Sequence, residues 1–284
     1  MKLALCAAAL AAAVVLQGCT TCPPTPQSRQ LAADWEAKQP ARGLSKDMRM
    51  EEAACLRDAL VEELGRSQGR IVGYKAGLTN KAVQQRFGYP APVRGTLFEK
   101  MLLADGAEVP AKFGARPVFE ADLVVEVGDE AINQAKTPAE VLRHVSKIHP
   151  FIELPDLVVA EGEPLNGPVI VAINVGARLG VLGKPIAPDA APGMVDALAK
   201  MMVTMRDQDG KELGKGPGAA ILEHPLNAVV WLAEDLARSG RRLRKGDLLS
   251  LGSFTPLVPP KAGTTITVSY DGLPGNPTVS VRFK

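Results

Sequence analysis

This chain of 284 residues is poor in the residues that advertise common chemistries. It has three histidines and four cysteines, and none of them falls into the Cys/His spacing of a zinc site. No Gly-x-Gly-x-x-Gly opens a helix after a strand, which removes the dinucleotide fingerprint. No Gly-x-Ser-x-Gly is present, so there is no nucleophile elbow. No internal repeat occurs. The formal net charge is only +2, and no basic stripe is interleaved with aromatics, so nucleic acid is not an expected partner. Regular alternation of strands and helices is also missing, which argues against a parallel βαβ sheet.

One long apolar run exists, from Leu3 to Leu16. It is too short for a comfortable transmembrane helix and has the length of a signal h-region behind the positive Met1-Lys2. It ends Leu16-Gln17-Gly18-Cys19, which resembles the lipobox of bacterial lipoproteins. That resemblance implies residues 1–18 as a signal peptide, lipidation of Cys19 and a membrane anchor of acyl chains rather than a spanning helix. Thr20 in place of Asp then favours the outer membrane, facing the periplasm. Residues 19–42, with Pro23, Pro24 and Pro26, read as a Pro-rich tether of little structure. Residues 43–284 read as a single domain. The cysteines make no disulfide framework. Cys22 in the tether and Cys55 on a helix could pair in an oxidising compartment, but Cys55 beside Leu56 and Leu60 on an apolar face favours a buried thiol.

The most informative stretch is Pro117 to Val127. Phe119, Ala121, Leu123, Val125 and Val127 alternate with Val118, Glu120, Asp122, Val124 and Glu126, the pattern of a half-buried β-strand. Glu120 and Asp122 share one face at roughly 7 Å spacing. Two like charges so close repel unless a cation sits between them, and a hard divalent ion is suited to carboxylate oxygens; a solvated strand face is the alternative. Ser45 to Leu64 reads as a helix capped by Ser45 and stopped by Gly65. Ile71 to Tyr74 is a short strand that delivers Lys75 to a glycine turn. Lys81 to Phe87 is a short helical stretch. Thr137-Pro138-Ala139-Glu140 is a capping box that opens a helix with Val141, Leu142, Val145 and Ile148 inward. His144 and His149, on or just after it, have no partner spacing for ligation. Glu153 lies in the apolar strand Phe151–Leu154. Pro168 to Ile173 reads as a buried strand, and Asp207-Gln208-Asp209-Gly210 as a hairpin turn. Pro225 opens a helix closed by Gly240, and the tail from Asp247 is strand and turn. The sum is an α+β domain with antiparallel or mixed sheets.

Several segments, in order, resemble the fumarylacetoacetate hydrolase superfamily, closest to its 2-keto-4-pentenoate hydratase and 4-oxalocrotonate decarboxylase branch. They are Gly73-Tyr74-Lys75-Ala76-Gly77-Leu78-Thr79, Gly95-Thr96-Leu97-Phe98, Pro117 to Asp122, Glu153, Gly218-Ala219-Ala220, His224 to Leu232, and Lys245-Gly246-Asp247 leading to Gly252-Ser253. The resemblance covers the chain from about residue 45 onward. It implies a mixed β-roll or sandwich with flanking helices, holding Mg2+ or Mn2+ on Glu120, Asp122 and Glu153, and it implies a homo-oligomer. Asp122 stands where the family has Glu. The resemblance further implies that Lys75 and Glu153 are catalytic, that Lys75, Leu78, Asn174 and Ser253 bind substrate, and that the substrate is a small carboxylic acid.

The implied activity is that of a divalent-metal-dependent lyase adding water to a 2-oxo or 2-hydroxydienoic acid. Decarboxylation of a 4-oxalocrotonate-type acid is the alternative within the family. Three departures point to a further alternative, an envelope lipoprotein that binds an oxo acid without turnover. Val118 occupies a position that is often basic, with Arg116 two residues earlier as a substitute if the strand extends that far. The family's Asp before Asn174 is Ile173. Its small serine-containing turn is replaced by Val175-Gly176-Ala177-Arg178.

Overall fold

The computed structural model describes residues 22–189 and 193–284; the signal-peptide reading and Cys19 lie outside these residues. Twelve strands alternate irregularly with seven α-helices among the described residues. The strands are β1 (Ile71–Gly77), β2 (Val93–Phe98), β3 (Leu102–Ala104), β4 (Ala107–Val109), β5 (Glu120–Val127), β6 (Val145–Leu154), β7 (Leu179–Leu182), β8 (Met202–Asp207), β9 (Glu212–Pro217), β10 (Leu248–Ser250), β11 (Thr265–Asp271) and β12 (Thr278–Phe283). They form a seven-stranded sheet in the order β2-β1-β10-β5-β6-β7-β3 and a five-stranded sheet in the order β4-β12-β11-β8-β9. Both are mixed: β1 pairs parallel with β10, and β4 parallel with β12, among otherwise mostly antiparallel neighbours. This is the α+β class that the sequence predicts.

The alternation in β5 does what its pattern requires. Ala121, Leu123, Val125 and Val127 are wholly buried and pack with apolar residues of β8, β11 and β12 in one core. The helix α7 (Asn227–Arg238) closes that core with Ala228, Val229, Leu232 and Leu236. A second core holds α1 (Pro26–Ala37), α2 (Met50–Gln68) and α5 (Gly167–Ala172) with β2 and the segment before β7. The short helices α3 (Lys81–Arg86), α4 (Pro138–Leu142) and α6 (Met194–Lys200) complete the set. Tyr270 of β11 reaches across to the larger sheet. Its hydroxyl accepts the Phe151 N–H at 3.0 Å and lies against the Asp122 carbonyl, so it is wedged into the β5–β6 ladder at the Asp122–Phe151 pair. Burial raises its pKa above the ordinary phenol value.

Four local expectations are corrected. Residues 19–42 are not simply a tether, because they contain α1. Thr25 caps that helix with Ser28 in a reciprocal box, Pro26 sits in its first turn, and Leu31, Ala32 and Trp35 are buried. Pro23 and Pro24 precede the helix and Pro26 occupies its first position, where a missing N–H costs nothing, so none of them interrupts it. Cys22 and Cys55 are joined in a disulfide; an apolar flank does not prevent pairing once the two chain segments are packed together. Pro168 to Ile173 is helical, not extended. Asn166 caps α5 through the Val169 N–H at 3.1 Å, Pro168 fits the first turn, and the helix is apolar all round because protein surrounds it. Finally, α4 stops at Leu142, so Val145 and Ile148 belong to β6. A smaller shift concerns α2, which starts at Met50, leaving Ser45 to accept the Asp47 N–H instead of capping a helix.

Candidate active site

A cavity of about 380 Å³ opens where the ends of β1, β5 and β6 meet the turn after β10, within the size range of small-ligand sites. Lys75, Glu120, Glu153 and Ser253 form its polar end. The register explains why they converge. Glu120 on β5 is paired directly with Glu153 on β6, so both side chains leave the same face of the sheet. Lys75 on β1 pairs with Ser250 of β10, which in turn pairs with Val124 of β5. The Lys75 ammonium bonds the Glu153 carboxylate and donates to the Val175 carbonyl at 2.9 Å. Gly95 makes room for this lysine, since a Cβ there would meet the Asn174 carbonyl at 2.7 Å and the Lys75 Cγ at 2.9 Å.

Two walls of the cavity are apolar and come from separate parts of the chain. Leu78, Val83 and Phe87 come from one segment, and Leu157, Ile170, Phe254 and Leu257 from others. Leu78 has φ 53° and Val175 has φ 55°. Such values are genuine outliers for bulky and β-branched residues. Strained backbone of this kind clusters at functional sites, and here both residues line the cavity.

The structure brings Lys75, Leu78, Glu120, Glu153 and Ser253 together at the cavity, and it places Asp122 and Asn174 elsewhere. Asp122 is wholly buried. Its Oδ1 accepts N–H bonds from Leu123, from Leu251 at 3.1 Å and from Gly252 at 2.9 Å, while Oδ2 accepts the Ser250 hydroxyl. The expected third ligand is therefore turned into the β10 turn, as suits a side chain one methylene shorter than Glu. One lone pair of Oδ2 remains unengaged by these four donors. Asn174 is a brace and not a wall residue: its amide accepts the Thr96 N–H at 2.8 Å and donates to the Thr96 carbonyl at 2.9 Å. Arg116 does not replace the basic residue at Val118. The strand begins only at Glu120, and the Arg116 guanidinium donates to the Val159 carbonyl at 3.0 Å. His149 is buried with Nδ1 at 3.1 Å from the Gly183 carbonyl, and His224 contacts the Val195 carbonyl and the Leu226 N–H. Neither lines the cavity.

Burial, the Glu153 charge and the Asp122 charge push the Glu120 carboxyl well above the usual range, against the pull of Lys75 and Ser253. Burial and Glu153 likewise push Asp122 up to about 8, opposed by the hydrogen bonds from Ser250 and Leu123. Two carboxylates thus share the polar end of the cavity with one ammonium, and a third, Asp122, is buried without reaching it. Among the described residues no three His, Cys, Asp or Glu side chains converge into a metal-holding cluster; the two that face each other are Glu120 and Glu153.

No family model matches the chain. Curated relatives do. A 2-keto-4-pentenoate hydratase of Paraburkholderia xenovorans (strain LB400) is 33% identical over 261 residues, covering 88% of this chain and 93% of the relative. 2-Keto-4-pentenoate hydratase 1 of Dechloromonas aromatica (strain RCB) is 35% identical over 215 residues, covering 75% of this chain and 78% of the relative. The chain belongs to the fumarylacetoacetate hydrolase superfamily, in its hydratase and decarboxylase branch. Among solved structures, 4-oxalocrotonate decarboxylase from Pseudomonas putida G7, complexed with magnesium and adipate, superposes with a TM-score of 0.75 at 26% identity, covering 91% of this chain and 97% of that one. Fumarylpyruvate hydrolase from Pseudomonas aeruginosa, in complex with Mn2+ and pyruvate, shares the fold at a TM-score of 0.54 and 15% identity, covering 74% and 88%.

For a member of this superfamily the altered turn after Asn174 has a structural use. Arg178 pairs with the buried Asp156 at 3.2 Å, donates to the carbonyls of Phe113 at 2.6 Å and Trp35 at 2.8 Å, and lies 4.2 Å from the Trp35 ring centroid. Trp35 in turn donates its indole N–H to the Ala177 carbonyl at 3.3 Å. The turn therefore fastens α1 to the loop that carries Pro155 and Leu157 of the cavity wall. Sequence reasoning missed this clamp, as well as Val175, Tyr270 and the apolar walls. Trp35 on a helical stripe with Leu31 was a usable signal; a left-handed valine has none.

Proposed function

We propose that this protein is a divalent-metal-dependent lyase of the hydratase type, acting on a small 2-oxo or 2-hydroxydienoic acid. The observation that carries the reading is the facing pair Glu120 and Glu153 on the cavity lining, with Lys75 bonded to Glu153. The donor set fits a hard cation. Mg2+ is commonly held by one or two carboxylates with waters and substrate oxygens; burial first, and the Glu153 charge second, raise Glu120, and a divalent ion would offset both. Glu120 and Glu153 would hold it.

When bound, the ion supplies Lewis-acid stabilisation of negative charge on the substrate's 2-oxo oxygen. The protein's own groups do the rest. The Lys75 ammonium is fixed by Glu153 and the Val175 carbonyl, and it offers a localised positive charge to the 1-carboxylate. The Ser253 hydroxyl stands beside Glu120 and donates to the Thr255 carbonyl at 2.6 Å, which orients it. The apolar walls hold the hydrocarbon part and keep bulk water from the polar end. The test is the ultraviolet absorbance of 2-hydroxypenta-2,4-dienoate. Protein loaded with Mg2+ or Mn2+ is expected to remove it, and chelator-treated protein is not; metal binding without loss of absorbance would replace this reading with that of a binding protein.

The same proposal places the protein in the cell envelope, lipidated on Cys19 and facing the periplasm. Two features support it: the Leu16 to Cys19 pattern and the disulfide from Cys22, which suits an oxidising compartment. Among the described residues no helix is long and apolar enough to cross a membrane. Palmitate labelling that persists in Cys19→Ser protein would contradict the anchor.

A further inference from the structure

The proposed lipidation site lies beside a covalent joint. Cys19 precedes Cys22 by three residues, and Cys22 is bonded to Cys55 of α2. Both cysteines of the bond are half-buried, so the joint sits at the surface. The two helices behind it run parallel. Arg29 of α1 meets Glu63 of α2 at 3.5 Å, and Gln68 at the end of α2 donates to Glu36 at 3.1 Å. The starts of α1 and α2 therefore lie at one end of the molecule. The segment between the helices returns to that end, where Gln27, Gly43, Ser45, Met48 and Leu56 line one shared hollow.

This end is part of the folded domain. Asn166, which caps α5, donates to the Lys46 carbonyl at 2.9 Å, and Ala41 exchanges backbone hydrogen bonds of 2.8 Å with Val158 and Ala160. Its exposed charges balance. Arg42, Lys46 and Arg49 stand against Asp47, Glu51 and Glu52, and Arg49 pairs with Glu52 at 2.9 Å. Charge alone does not draw such a surface to an anionic bilayer, so the length of the tether decides where it sits.

Three extended residues, from Cys19 to Cys22, reach about 10 Å at most. Without the disulfide the first fixed residue is Thr25, the cap of α1, at a reach of about 20 Å. A domain of this size has a radius of gyration of about 18 Å. The shorter reach is less than that radius and the longer one exceeds it. Only the disulfide-bonded chain is therefore kept from rolling another side onto the bilayer. We infer that the Cys22–Cys55 disulfide seats the α1/α2 end of the domain on the phospholipid headgroups and so fixes which face meets the membrane. This rests on the lipidation of Cys19 proposed above.

The test uses the lipidated full chain on preformed vesicles of phosphatidylethanolamine and phosphatidylglycerol. Acetylation of Lys46 by a water-soluble ester is read by mass spectrometry, with the exposed Lys211 of the β8–β9 hairpin as control. Lys46 labelling should slow on vesicles relative to detergent, while Lys211 labelling should not. Two insertions separate the tether from the surface. A Gly/Ser stretch of about ten residues, worth roughly 17 Å of reach, is placed either between Thr20 and Thr21 or between Pro23 and Pro24. The first lengthens the tether and should abolish the protection. The second lies behind the disulfide and should keep it, until reduction removes it. Equal Lys46 labelling on vesicles and in detergent would overturn the inference. So would protection that survives the first insertion, which would mean that the face adsorbs unaided, or protection lost to both insertions in oxidised protein. If the full chain does not bind vesicles at all, the anchor reading fails and takes this inference with it.

Discussion

Replacing Lys75 with methionine tests the polar end of the cavity through its energetics. The substitution keeps an unbranched stem of similar reach and removes the ammonium. In the native protein the Lys75 and Glu153 side chains are only 3% and 4% exposed, so water cannot take over as partner. Breaking such a buried pair by removing one member costs about 3–5 kcal/mol, because the remaining charge is left uncompensated. For a domain of this size each kcal/mol lowers Tm by about 2–4 °C, which puts the expected fall at roughly 6–20 °C. The assay is thermal unfolding in chelator for wild type, Lys75→Met, Glu153→Gln and the double variant. The double variant should recover most of the loss, because the stranded charge is gone with its partner. Turnover of a 2-hydroxydienoate should be lost in Lys75→Met even with Mn2+ present. A Lys75→Met protein as stable as wild type, with a double variant no better than the single, would refute the argument.

Three further outcomes follow from the same geometry. Asn174→Ala strands the N–H and carbonyl of Thr96 and should lower stability by about 1–3 kcal/mol for each buried group left unpaired, measured by urea unfolding. Arg178→Ala leaves Asp156 without its cation and frees the Trp35 stack; α1 should become the first site of proteolytic cleavage, with a stability loss of about 3–5 kcal/mol. The pH dependence has a defined sign. Asp122 is raised from 3.8 to about 8 and Glu120 is raised with it, so the folded state holds protons that the unfolded chain has released. Stability of the metal-free protein should therefore be greatest near pH 4 as far as these groups decide it, and should fall as pH rises towards 8, by about 1.4 kcal/mol per pH unit for each proton involved. Thermal midpoints in chelator at pH 5, 6.5 and 8 check this, and Asp122→Asn should flatten the slope.

Period-2 patterning made the central part of the fold legible. The alternation from Phe119 to Val127 located β5 and its buried face, and the same strand supplied Glu120. The cross-strand partner Glu153 was marked by being a carboxylate in an apolar run. The buried helix α5 was not legible in this way, because Pro168 to Ile173 is apolar at every position and carries no period. Only the Asn166-x-Pro168 cap distinguishes it from a strand. The Pro-rich segment before residue 43 misled for a related reason: proline at a helix start and proline in a tether look alike until Leu31 and Trp35 are seen to be buried. At the site, residue type was a poor guide to use. Asp122 and Asn174 are polar and lie near the cavity in sequence, yet their hydrogen bonds go to the backbone of Leu123, Leu251, Gly252 and Thr96 and to the Ser250 hydroxyl. In sequence Arg178 reads only as the end of a turn that has lost its serine, but its partners Trp35, Phe113 and Asp156 lie far away in the chain, where no local pattern could announce them.

The central claim is that Glu120 and Glu153 hold a divalent ion that the chemistry needs. Titration of Mn2+ into chelator-stripped protein, followed by paramagnetic resonance of the free ion, tests it most directly. Wild-type protein should take up one ion per chain, and Glu120→Ala should lose that uptake while keeping its fold. Uptake that is unchanged in Glu120→Ala, or absent from wild type, would contradict the account.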